Sequence, residues 1–120
     1  MPRNHRSAKS AGSMFERLIA NHLRDTTGND AIDRLVRTNP DKGDIANVKI
    51  GGHKIAIETK NCTKIDLPAW TREAQEEAKN YGALAGIVIF KRHGVTDPSK
   101  QWVAMTVAEL TSLITGEPNA

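Results

Sequence analysis

The sequence predicts an α/β domain in which helices flank both faces of a mixed β-sheet, and three observations carry that expectation. Segments of helical and of strand periodicity are interleaved along the chain rather than grouped, as in layered α/β arrangements. The run 84–90 is apolar on both faces, as in a central strand covered from two sides. Two β-rich runs, 45–50 and 54–60, flank Gly51-Gly52, which is a strong hairpin signal.

Each element can be justified in order. Residues 1–12 carry Arg3, Arg6 and Lys9 with no acid, and read as a flexible basic arm that phosphate would attract, or as a merely solvated terminus. A helix is expected over 13–24, where Phe15, Leu18, Ile19 and Leu23 recur at helical spacing. Ser13 and Glu16 have capping-box spacing, and Thr26, Thr27 and Gly28 stop the helix. Glu16 falls beside Leu23 at the margin of the apolar arc, so it can look into a cleft as well as cap. Residues 31–37 alternate imperfectly, and a strand is favoured over a short helix. Asn39 to Gly43 reads as a loop. Over 66–81 a helix is expected, with Asp66 as cap, Pro68 in the first turn, and Leu67, Trp70, Ala74, Ala78 and Tyr81 on one arc. Gly82 ends it. After a loop through Lys91-Arg92-His93-Gly94 and Asp97-Pro98-Ser99, a strand is expected at 101–105. Thr106 and Glu109 then cap a last helix whose Val107, Leu110, Leu113 and Ile114 face inward until Gly116.

At 120 residues this is one domain, 13–116, with a short tail at 117–120. No apolar run approaches the roughly 20 residues that span a bilayer, so no membrane partner and a cytoplasmic location are expected. The single cysteine, Cys62, excludes a disulfide scaffold, and no His or Cys pair has zinc-site spacing. Gly51-Gly52 lacks the following Lys-Ser or Lys-Thr of a phosphate-binding loop, so no nucleotide cofactor is expected.

Chemistry concentrates on one strand. Alternation along 54–60 puts Glu58 and Lys60 on one face and Thr59 on the other. A bare Glu-x-Lys is commonly an ion pair at a strand end. Asp44, at the start of the preceding strand, changes its meaning, because two carboxylates on neighbouring strands can share a divalent cation. Register then becomes a condition. With a strict two-residue turn and an unbroken ladder, Asp44 faces Thr59 and lies on the wrong side of the sheet from Glu58. A three-residue turn or a β-bulge restores the parity, placing Asp44 opposite Lys60.

Gly43-Asp44, followed after a short hairpin by Glu58-Thr59-Lys60, resembles the motif of the PD-(D/E)xK nuclease superfamily. The chain is most similar within it to archaeal-type Holliday junction resolvases and their phage-borne relatives, from about residue 10 to residue 106, including the helices with Glu16 and Gln75. The resemblance implies a restriction-endonuclease-like fold and a homodimer in a bacterial or phage-infected bacterial cell. It also implies magnesium-dependent cleavage, with manganese as a substitute, of two symmetric strands in branched, four-way-junction DNA. By motif, Asp44, Glu58 and the Thr59 backbone carbonyl would be metal ligands and Lys60 the catalytic lysine. Glu16 would contribute to metal or water binding, and Gln75 would match a glutamine at that helix position in relatives. The motif's proline is Gly43 here.

Beyond the motif, Arg3, Arg6, Lys9, Lys42, Lys91 and Arg92 are candidate phosphate contacts. Trp70, Trp102 and the apolar residues of the last helix are candidate dimer surface, although core is the commoner place for such side chains. A restriction-like or repair nuclease acting on duplex DNA is the competing enzyme reading. A noncatalytic DNA-binding subunit is the competing reading from another class, disfavoured because clustered acids repel phosphate.

Overall fold

Among residues 5–119, which the computed structural model describes, three α-helices and six short strands form one α/β unit around a mixed sheet. Helix α1 (His5–Thr27) buries Phe15, Ile19 and Ala20, and Gly28, at φ +71°, ends it by donating its N–H to the Arg24 carbonyl. Because α1 begins at His5, Ser13 lies inside the helix rather than capping it. Arg6 and Lys9 lie on its exposed first turns. Once a helix is nucleated, adding turns costs little, and Ala8 and Ala11 favour extension more than Gly12 opposes it. Arg3 lies outside the described residues.

The expected strand at 31–37 shortens to β1 (Asp33–Arg34). The run 45–50 divides into β2 (Ile45–Ala46) and β3 (Lys49–Ile50), followed by β4 (His53–Lys60). Helix α2 (Leu67–Tyr81) starts as expected, with the Asp66 carboxylate accepting from the Ala69 N–H, and ends at Gly82 in the left-handed region. After β5 (Ala85–Phe90), one turn of 3-10 helix (Pro98–Lys100) leads to β6 (Trp102–Ala104) and α3 (Val107–Thr115). The sheet runs β1-β2-β4-β5-β6, with β3 paired to the first half of β4. Strands β4 and β5 are parallel, joined through α2, and the remaining pairs are antiparallel.

Side-chain alternation on β4 and β5 divides the core. Ile55, Ile57 and Ile89 pack with Phe15 and Ile19 of α1, whereas Val88 and Phe90 meet Trp70 and Ala74 of α2. The α2 layer lies unusually close to the sheet, since a Cβ on Gly86 would stand 2.0 Å from the Ala74 carbonyl oxygen. Only glycine fits there, and the close approach brings the flank of α2 against β4.

Helix α3 does not bury the face expected of it. Val107, Leu110 and Ile114 are exposed, Leu113 is partly buried, and the inward positions are Glu109 and Ser112. The reason is where α3 sits. Strand β6 pairs only with Val88 to Phe90, which leaves the Gly86 N–H without a strand partner, and Glu109 Oε2 accepts it at 3.3 Å. A polar strand edge selects a polar helix face. No helix among the described residues is long and apolar enough to cross a membrane.

Candidate active site

The hairpin resolves the question of register in an unexpected way. Ile50 pairs with His53 and Lys49 with Lys54, so the Gly51-Gly52 turn is a strict two-residue loop. Further along, Ile45 pairs with Ile57, so the first strand takes one more step than β4 does over the same stretch. The extra residue lies at the break between β2 and β3, where Asn47 has φ +68°. Its side chain donates to the Ala31 carbonyl at 2.8 Å, fixing the bulge. The parity change therefore comes from the strand, not the turn, and it shifts Asp44 in the direction opposite to the expected pairing with Lys60.

Asp44 consequently closes over the end of β4. Its own N–H donates to the Ile57 carbonyl at 2.8 Å, and its Oδ2 accepts from the Thr59 N–H at 2.8 Å and the Thr59 hydroxyl at 3.1 Å. Since N–H and C=O of one strand residue point to the same edge, the Thr59 carbonyl opens on the Asp44 side.

Glu58 and Lys60 share the α2 face, 3.1 Å apart, and the Lys60 ammonium also meets Glu73 at 3.0 Å. Glu58 is buried, and its Oε1 has no hydrogen-bond partner. Burial, followed by hydrogen bonding to Glu73 and Asp44, pushes the Glu58 carboxyl far above the ordinary carboxylate range. For Lys60, burial alone would favour the neutral amine. The Glu58 and Glu73 carboxylates outweigh it and raise the ammonium above its ordinary value.

Glu16 reaches the same place from α1. Its carboxylate accepts from Arg34 Nε at 3.4 Å, and burial together with the nearby Asp44 raises its pKa. Glu16, Asp44, Glu58, Thr59, Lys60 and Glu73 thus line one open cleft of about 770 Å³, with Lys9, Arg34 and Arg37 also on its walls.

Other expected site residues lie elsewhere. Gln75 points away from the cleft, its amide donating to Thr106 Oγ1 at 2.9 Å, and so supports the start of α3. Lys42 does not line the cleft. Lys91 donates its ammonium to the Arg92 and Val95 carbonyls, and Arg92 stacks 4.5 Å over the Trp102 ring, so neither offers a free cation there. Trp70 is core, packed on Phe90 at a centroid distance of 5.6 Å.

Conversely, Glu73 and Glu77 of α2 and Asp41 of the preceding loop were not among the expected site residues. Their signal was present. Positions 70, 73, 74, 77, 78 and 81 form one helical stripe, so two acids sit within the arc of Trp70, Ala74 and Ala78. Comparison of this chain with protein-family models, curated proteins and solved structures finds no match.

Proposed function

We propose that this chain is a metal-dependent DNA endonuclease of the PD-(D/E)xK type with a restriction-endonuclease-like fold, acting as a homodimer on branched DNA as a Holliday junction resolvase. The observation that carries the reading is the Asn47 bulge, which delivers the Asp44 carboxylate to Thr59 in the cleft that already holds Glu58 and Lys60. Asp44, Glu58 and the Thr59 carbonyl are a hard-oxygen donor set, and the unpartnered, buried Oε1 of Glu58 fits a cation better than a core. Magnesium, or manganese in its place, would supply Lewis-acid activation of a phosphate and of water when bound by these residues, with Glu16 nearby.

The chain's own groups have separable tasks. Lys60, held protonated between Glu58 and Glu73, can donate hydrogen bonds to charge developing on a phosphate oxygen or orient a water, and it cannot serve as the base. Lys9, Arg34 and Arg37 line the cleft and suit backbone phosphate, which positions nucleic acid without reading its sequence. No groove-reading helix is needed for a substrate recognised by shape.

The test is cleavage of a four-way junction, a flap and a linear duplex with magnesium or with chelator, by the native chain and by Asp44→Asn. The expected result is paired nicking of the junction that requires both metal and Asp44. Equal cutting of linear duplex would overturn junction selectivity in favour of a duplex nuclease. Binding without cutting of any substrate would overturn the enzyme and favour a DNA-binding subunit.

A further inference from the structure

Glu77 is unused by the chemistry above, and its surroundings are unusual for a carboxylate. It is 2% exposed, and neither of its oxygens has a hydrogen-bond partner. The groups that face it are other acids, namely Glu58, Asp41, Asp44 and Glu73. No ion pair among the described residues reaches Glu77 or Asp41, because Lys60 is committed to Glu58 and Glu73, and Arg34 to Glu16. A buried carboxylate facing only acids is expensive unless a proton or a cation joins them.

The geometry favours a cation. One carboxylate oxygen from each of Asp41, Glu73 and Glu77 lies within 4.8 Å of the others. Two oxygens on opposite sides of one calcium- or manganese-sized ion, at roughly 2.2–2.5 Å each, stand about that far apart. The three donors are also held in place. Glu73 and Glu77 are successive turns of one face of α2, and Asn80 on the next turn donates to the Asp41 carbonyl at 2.7 Å. The Asp41 carboxylate accepts the Gly43 N–H at 3.0 Å, and Gly43 lacks the Cβ that would stand in contact with Glu77 Oε2 at 3.5 Å.

We propose that Asp41, Glu73 and Glu77 form a second divalent-cation site, separate from the Asp44–Glu58–Thr59 set, that clamps the loop before Asp44 onto α2. All donors are carboxylate oxygens, so the ligand class is a hard cation such as Mg²⁺, Mn²⁺ or Ca²⁺. The proposal goes beyond the nuclease reading and does not depend on it.

The test counts Mn²⁺ bound to the chelator-stripped full chain by the electron paramagnetic resonance of the free ion. Native protein, Asp44→Asn, Asp41→Asn and Glu77→Gln are compared, with circular dichroism as the check on folding. The expected result is that Asp44→Asn retains one ion whose loss follows from Asp41→Asn or Glu77→Gln. Mn²⁺ should also raise the melting temperature of Asp44→Asn but raise it less in the double variant Asp44→Asn/Asp41→Asn. If Asp44→Asn binds no ion, or if Asp41→Asn binds as many as native, the second site is overturned. Should Glu77→Gln fail to fold, Asp41→Asn decides alone, because Asp41 is exposed. Failure of the nuclease reading would show as absent cleavage with this ion still bound.

Discussion

Gly43 governs Asp44 through backbone geometry. At φ +104° it holds a conformation closed to proline, whose ring fixes φ near −65°, so this loop excludes the proline of the motif that the sequence resembles. A Cβ there would also stand 2.9 Å from the Ile57 carbonyl oxygen. Gly43→Ala is expected to cost about 1–3 kcal/mol in urea unfolding and to depress cleavage. Unchanged stability would mean that the loop relaxes and does not hold Asp44. Glu77 makes a second prediction at this scale. Burial first, and then the charges of Asp41, Asp44 and Glu73, push its carboxyl from an ordinary 4.5 up to about 8 against the opposing influence of Glu58. The folded chain therefore binds a proton that the unfolded chain has released over that interval. The Glu77 contribution to stability is fully present below about pH 4.5 and is lost as pH rises through about 8. Melting temperatures in chelator should fall across that window, and Glu77→Gln should reduce the slope, while Glu58 and Glu16, shifted in the same direction, keep part of it. A native profile that rises from pH 5 to pH 8 would contradict the assignment.

Among the elements, the β2–β3 bulge converts a sequence motif into a site. Deleting Asn47 would make the ladder continuous from the Gly51-Gly52 turn and carry Asp44 to the face of the sheet away from Glu58. The deletion is expected to abolish metal-dependent cleavage while leaving helical circular dichroism near native. Full cleavage by the deletion variant would show that the bulge does not set Asp44. The bulge also marks how far the sequence could be read. Alternation along β4 settles which way Glu58 and Lys60 face, and the caps at Asp66 and Thr106 follow from local chemistry. Whether the odd residue lay in the turn or the strand depends on Asn47 bonding to the Ala31 carbonyl, a tertiary contact that no local pattern encodes. The placement of Glu73 and Glu77 is illegible for a related reason. Their place in the apolar stripe was visible, but whether that edge of α2 faces solvent or β4 depends on the close approach at Gly86. The inward face of α3 departs from its apolar period because Glu109 turns in to accept the Gly86 N–H, which no strand pairs.

On the scale of the whole molecule, the described residues build this acidic cleft once per chain, whereas the proposed resolution of a junction would need cuts on two strands. A two-fold dimer would supply the second site in matching symmetry. The surface offers a place for it. Strand β6 is an edge strand with Val103 55% exposed, and the following helix leaves Val107 78% and Ile114 76% exposed, while Trp102 is covered in part by Arg92. Apolar side chains exposed on an edge strand and on the helix that follows it are costly for a monomer and characteristic of an interface. Because Val107 and Ile114 contribute little to the core, the double substitution Val107→Glu/Ile114→Glu should fold normally. Light scattering should then show a dimer for the native chain and a monomer for the variant at micromolar concentration. On a cruciform plasmid the native dimer should linearise the circle by paired cuts, whereas the variant should accumulate nicked circles, since each monomer cuts one strand. Native protein that is monomeric at these concentrations yet still linearises the plasmid would separate paired cutting from this surface.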